Sequence, residues 1–270
     1  MRIKDKIKNF LLILSKRKKL LFFLLTLISG ISTLWLFHDF QYFLSQGDHG
    51  RELYAFEATM EGQAPYKDYW WVYGPLTPYY YSIFFKLFGV DISSILLGKF
   101  LLNLVAGIFF FASLSFLISP ALVYVATLWF WIWTLKPTFF FTYNHIAGIA
   151  CLLAVVYFML NYFRNKNLAS LYIALLTTFA LSLIKINFGI TTLTALILFT
   201  YLSDRFHKTP ASKRKKYFYW ASIIGLPTAV FLVYWNLLKT LPVYAIRQCL
   251  PYLASDHPYN TTILTTFKIW

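Results

Sequence analysis

The run ISSILLGKFLLNLVAGIFFFASLSFL, residues 92–117, contains one charge, Lys99, and no proline. A helix needs about 20 largely apolar residues to cross about 30 Å of hydrocarbon, and this run is longer than that. Working outward, comparable runs recur at Leu20–His38, Ala121–Leu135, Asn144–Phe163, Leu168–Ile184, Phe188–Ser203 and Phe218–Leu238. The chain of 270 residues is 59% hydrophobic and only 13% charged, against about 25% charged residues in soluble domains. No soluble fold hides so much apolar side chain. The sequence predicts an all-α, polytopic transmembrane helix bundle of about seven complete spans. Residues 1–19 read as a basic cytoplasmic arm and 20–270 as the transmembrane domain. A last apolar segment starts near Thr262 and reaches Trp270. That is too short to cross, so it reads as a partial or interfacial segment, or as a sign that the chain is a fragment.

The net charge is +15, a balance that often signals nucleic acid. Its distribution points elsewhere. Eight positive residues, Arg2 to Lys19, precede the first apolar run, and six more lie between Arg205 and Lys216. Both clusters flank hydrophobic segments, as cytoplasmic anchors do. They place the N-terminus in the cytoplasm and make membrane lipid, not nucleic acid, the expected partner. Phe10, Leu11, Ile13 and Leu14 in the arm can form a helix on the inner leaflet.

Acidic residues concentrate in the long outer loop, 39–91. Six of the ten Asp and Glu lie between Asp39 and Asp68. Within this loop His49–Glu61 reads as a helix, capped by Asp48 and ended by Gly62. Leu53, Phe56 and Met60 share its apolar face, with Arg51, Glu52 and Glu61 on the others. It is expected on the membrane surface. Residues 63–75 read as extended. Leu76–Phe88 reads as a second helix closed by Gly89, too short to span. Asp91 or Ser93 caps the following span.

Asp48-His49-Gly50-Arg51-Glu52 is the densest polar constellation. Asp48 suits either a helix cap or a general base that takes a proton from a hydroxyl nucleophile. Eight of the twenty residues from Gly62 to Tyr81 are Tyr or Trp. Tyr66, Trp70 and Tyr73 among them fit a headgroup belt, or stacking against sugar rings. Lys67 can hold a lipid phosphate and Asp68 orient it or a sugar hydroxyl, or the two form an exposed ion pair. Lys99, Lys136 and Lys185 sit in or beside spans, where charge is functional unless it snorkels to water. Lys185-Ile186-Asn187, near Gly189, is the strongest of these as a phosphate site. Asn103, one turn from Lys99, and Asn144-His145 can line the same cavity. No metal-ligand spacing occurs, and no cofactor is implied. Cys151 and Cys249 support no disulfide framework.

These features resemble the GT-C fold of lipid-phosphate-sugar-dependent glycosyltransferases. The nearest group is the bacterial relatives of protein O-mannosyltransferases and of the aminoarabinose transferase that modifies lipid A. The likeness rests on an early acid after the first span, Gly62-x-x-Pro65-Tyr66-x-Asp68, Gly74-Pro75-Leu76 and Leu87-Phe88-Gly89. It runs from about residue 20 to 200 and is strongest over 47–103. The resemblance implies an enzyme of the bacterial plasma membrane that works at its outer face. A sugar would pass with inversion from a polyprenyl-phosphate donor to a hydroxyl or amine on a glycan, lipid or protein. Asp48 would be the base and Asp68 a second catalytic carboxylate. Arg51, Lys67, Lys99, Lys185 and Asn187 would hold the donor phosphate. His49, Tyr66, Trp70, Tyr73, Asn144 and His145 would contact sugar or acceptor. Where eukaryotic protein mannosyltransferases carry Asp-Glu, this chain has Asp48-His49. The alternatives are a transporter or flippase of a lipid-linked intermediate, and an inactive truncated subunit that needs a partner.

Overall fold

The computed structural model describes residues 3–36, 49–71, 73–134, 143–206 and 213–238. Asp48, Lys136, the second outer loop and the segment from Thr262 lie outside them, as does the His49 side chain. Ten α-helices are described: α1 Ile3–Leu36, α2 His49–Met60, α3 Leu76–Phe88, α4 Ile92–Leu114, α5 Pro120–Thr134, α6 Tyr143–Asn165, α7 Leu168–Ile184, α8 Ile186–Phe206, α9 Lys213–Trp220 and α10 Leu226–Leu238. The protein is a multi-pass membrane helix bundle. Among the described residues, four helical stretches are long and apolar enough to cross a bilayer: Ile92–Leu114, Asn144–Asn165, Ile186–Phe206 and Lys215–Leu237. α5 and α7, at 15 and 17 residues, are shorter apolar helices.

One expectation fails at the amino end. The basic arm is not a separate surface helix, because α1 runs unbroken for 34 residues. Lysine, arginine and leucine are good helix formers, and the first glycine is Gly30, so nothing stops propagation. The last span departs in the other direction. A π-helical turn, Ala221–Gly225, separates α9 from α10. Pro227 follows at once and offers no N–H to the helical ladder. The turn widens instead, with the Leu226 N–H reaching the Ala221 carbonyl.

α6 packs against α4 and α7, and α7 against α8. α1 and α5 close the side of α4 through one large ring. Trp131 is fully buried, and its Nε1 donates to the Asn103 carbonyl at 3.0 Å. A Cβ on Gly30 or on Gly107 would stand 2.2 Å from this indole. Small residues that admit close helix approach are a common way to join helices in lipid.

α2 and α3 form a hairpin at one end of the bundle, and here the second correction arises. The buried face of α2 is Glu52, Ala55, Phe56 and Thr59, spaced i, i+3, i+4, i+7. Leu53 and Met60 are only partly buried. Phe56 stacks on Tyr81 of α3 at 4.7 Å and meets Trp71 edge-on at 6.5 Å. The helix therefore turns a carboxylate, Glu52, toward the protein rather than toward water. The helix ends follow expectation. Gly62 takes φ of 94° after α2 and Gly89 takes 91° after α3, values that glycine reaches without strain. Asp91 caps α4 by accepting from the Ser93 N–H at 2.7 Å.

Candidate functional site

The connection between α2 and α3 is tightly built rather than extended. Asp68 Oδ2 accepts from the Ala64 N–H at 2.8 Å, and the Asp68 N–H returns to the Ala64 carbonyl at 3.0 Å. Tyr66, inside that turn, takes φ of 68°. Its hydroxyl donates to the Tyr73 carbonyl, and its ring lies 5.7 Å from Tyr234 of α10. Trp71 is fully buried and donates from Nε1 to the Gly74 carbonyl at 2.9 Å. The Gly74 N–H then donates to the Ile184 carbonyl at the end of α7, also at 2.9 Å. A Cβ on Gly74 would lie 2.0 Å from the Leu183 carbonyl oxygen. Only glycine lets the loop lie flat on the α7–α8 junction, and that junction holds Lys185.

A second tie fixes α2 to the same loop. Thr59 spends its hydroxyl proton on the Ala55 carbonyl at 2.7 Å, so the Tyr69 hydroxyl, 2.7 Å away, must be the donor to Thr59. Burial pushes the Tyr69 phenol well above its ordinary 10.0. The folded state therefore holds the neutral phenol more firmly than the unfolded chain does. This contribution is complete below the ordinary value and shrinks as pH climbs through and beyond it. Tyr69→Phe is expected to cost about 1 kcal/mol at neutral pH and to reduce the alkaline loss of stability. Thermal unfolding at about pH 8 and about pH 11 measures both. An unchanged alkaline slope in the variant would remove Tyr69 from the account.

These ties gather charge from four parts of the chain. Glu52 on α2 is 0% exposed, and its Oε1 accepts from Asn144 Nδ2, at the start of α6, at 2.8 Å. Lys99 of α4 and Lys185 both lie within the electrostatic reach of the Glu52 carboxylate. Lys185 Nζ is 3.2 Å from His145 Nε2. It also stands over two rings, Tyr73 at 5.5 Å and Phe188 at 4.9 Å. The Arg51 guanidinium lies over Trp70 at 5.1 Å and Tyr73 at 5.8 Å. A buried carboxylate next to ammonium groups is tolerable because each compensates the other's lost hydration.

Of the residues singled out from sequence, Arg51, Trp70, Tyr73, Lys99, Asn144, His145 and Lys185 come together. Tyr66 supports the group from behind, through Tyr73. Lys67 and Asp68 do not join it: both are exposed, and Asp68 clamps its own turn. Asn187 is exposed as well, and its Oδ1 accepts from the N–H of Phe188 at 3.0 Å. The central acid, Glu52, was read from sequence as surface decoration. Its signal was present, since Ala55, Phe56 and Thr59 repeat at helical spacing on its own face. A charged residue is usually the edge of such a face and not its centre.

An apolar cavity of about 550 Å³ opens beside this group, between α6 and α8. Leu152, Val155 and Met159 of α6 and Phe188, Thr192 and Phe199 of α8 line it. Phe188 and Phe199 are eleven residues apart on α8, which gives a groove about 17 Å long. Phe188 is shared, forming the cavity wall on one side and carrying the Lys185 ammonium on the other. Among the described residues, no group of three His, Cys, Asp or Glu could hold a metal ion.

No known family model matches this chain. No curated protein and no solved structure matches it either.

Proposed function

We propose that the protein is a membrane glycosyltransferase that takes a sugar from a polyprenyl-phosphate donor and passes it to a hydroxyl or amine acceptor at the outer face of a bacterial plasma membrane. The observation that carries this reading is the junction at Lys185. A fixed ammonium group stands at the mouth of an apolar groove and is shared between a polar cluster and the groove wall. An amphiphile with a phosphate head and a hydrocarbon tail matches that junction in both halves. The GT-C resemblance in the sequence supplies the transfer chemistry.

In the step proposed, the acceptor oxygen or nitrogen attacks the anomeric carbon as the bond from that carbon to the phosphate oxygen breaks. The acceptor proton passes to a carboxylate. The bonding electrons leave with the polyprenyl phosphate, which gains one negative charge. Lys185, Lys99 and Arg51 are the groups placed to stabilise that growing charge. Glu52 is buried and already bonded to Asn144, so it suits the counter-ion that holds the lysines in place. Asp48, four residues before it, is the proposed base. Trp70 is 55% exposed beneath Arg51 and offers an aromatic face to a sugar. Asp68 is reassigned from chemistry to the turn it closes.

The test is transfer from a synthetic polyprenyl-phosphate sugar by the protein in liposomes. Asp48→Asn is expected to lower kcat by about 100-fold or more, and Lys185→Gln to lower it by about 100-fold with its fold intact. Unchanged turnover in Asp48→Asn would eliminate the proposed base. A second reading draws on Lys99, which lies inside a spanning helix, where charge often marks a transport path. Movement of the lipid across the bilayer with no new glycosidic bond would replace the enzyme by a carrier.

A further inference from the structure

The end of the bundle remote from Glu52 holds a second charged arrangement, which the proposed transfer does not use. There the turn Arg164-Asn165-Lys166-Asn167 joins α6 to α7. Lys166 takes φ of 53°, the left-handed region that glycine or asparagine fills at helix ends with least strain. Its N–H caps α6 on the Tyr162 carbonyl at 2.7 Å. Asparagines stand on both sides and are committed elsewhere: Asn165 donates to Asn161 at 2.6 Å and Asn167 caps α7 on the Ala169 N–H at 3.0 Å. A lysine therefore occupies the one position in the turn where a side chain is costly. Strain retained in a surface turn points to a use for the side chain.

That side chain is held in place. Lys166 Nζ lies 5.7 Å from the buried Tyr162 ring, and Lys215 of α9 approaches the same ring at 5.7 Å. Lys215 is bonded to Asp204 at 2.5 Å, and the Tyr219 hydroxyl donates to Asp204 at 3.3 Å. The Asp204 carboxylate is thereby committed to α9. Arg164 is steadied over Phe116 at 5.5 Å. Among the described residues, neither Arg164 nor Lys166 has an ion-pair partner. Both are exposed, as are Lys213 and Lys216 on α9, which packs against α7. Tyr217 and Trp220 are exposed beside them, at 65% and 63%, in the manner of rings at a headgroup boundary.

We propose that Arg164 and Lys166, with Lys213 and Lys216 of the adjoining helix, form a binding site for the phosphodiester headgroup of an anionic phospholipid. Cations alone would suit any polyanion. These stand at the ends of apolar helices, among interfacial aromatics, where a phosphate attached to acyl chains is the anion at hand.

The strain at Lys166 makes the site testable against a purely structural role. Lys166→Gly relieves the left-handed backbone while removing the charge. The probe is phosphatidylglycerol retained by the full chain in mixed phosphatidylglycerol–phosphatidylcholine nanodiscs, counted by native mass spectrometry. The wild type is expected to enrich phosphatidylglycerol. Lys166→Gly should lose about fivefold of that preference, and Arg164→Gln with Lys166→Gly about 25-fold, at roughly one charge's worth each. The melting temperature of Lys166→Gly in lipid-free detergent should equal or exceed that of the wild type. Lys166→Asn, which tolerates the same backbone, should behave alike. Unchanged phosphatidylglycerol preference in these variants would overturn the proposal. So would a lower melting temperature in both, which would make the Tyr162 contact the reason for the lysine. Equal competition by inorganic phosphate or by a short RNA would assign the cations to another anion and overturn it as well.

Discussion

Glu52→Ala is expected to destabilise the protein by about 3–5 kcal/mol, the usual cost of leaving buried charge without its counter-charge. The effect has two sources. Asn144 loses the acceptor of its 2.8 Å hydrogen bond, and Lys99 and Lys185 lose the carboxylate that compensates their burial. Glu52→Gln separates the two sources, because an amide oxygen can still accept from Asn144 while the charge is gone. It should fall between the wild type and Glu52→Ala. Combining Glu52→Gln with Lys99→Met should recover part of the loss, since removing two opposite buried charges together is often close to neutral. Thermal unfolding in detergent, read as a double-mutant cycle, measures each term. If Glu52→Ala melted like the wild type, the carboxylate would not be the centre of the cluster.

Gly74→Ala should have the next largest effect, and for a different reason. The added Cβ would stand 2.0 Å from the Leu183 carbonyl oxygen. That atom belongs to backbone at the end of α7, so no side-chain rotation relieves the clash. Either the loop lifts or α7 shifts, and overpacking of this kind costs about 1–3 kcal/mol. Lifting the loop also breaks the Gly74–Ile184 hydrogen bond and moves Tyr73 away from Lys185. Gly74→Ala is therefore expected to weaken retention of a polyprenyl phosphate more than its melting temperature alone suggests. Gly50→Ala is the control. Nothing lies within 4 Å of a Cβ there, and alanine in a first helical turn is better than glycine by about 0.5–1 kcal/mol. Equal behaviour of the two variants would show that the close approach at Gly74 is unimportant.

Both predictions depend on contacts of long range, and this separates what could be read along the chain from what could not. The long apolar helices were legible because crossing hydrocarbon imposes a length and an apolarity on each segment by itself. Leu76–Phe88 was legible to the residue, since a proline opens it and Gly89 closes it. The cap of α4 was narrowed to Asp91 or Ser93, and Asp91 takes it by accepting from the Ser93 N–H. The continuity of α1 was missed because charge was taken as a boundary, although lysines carry a helix forward as readily as leucines do. The turn at Tyr66 was missed because a tyrosine with positive φ has no sequence signature. It is held there by Tyr73 and Tyr234, not by its neighbours.

The candidate site divides in the same way. Lys99, Lys185 and Asn144-His145 stood out from sequence because polar residues in or beside apolar segments are expensive wherever they sit. Asp68 also stood out, yet its carboxylate serves the Ala64 N–H four residues away. Glu52 was passed over, and its Asn144 partner is 92 residues distant.

By itself the sequence determined that this chain is a membrane bundle, where its apolar helices run and where several of them end. Those outcomes follow from the solvent around each segment and from bonds within a turn or two. Only the tertiary structure decided which carboxylate is buried and which lysines face it. A charge takes its role from the groups brought against it, and here those groups arrive from α4, α6 and the α7–α8 junction.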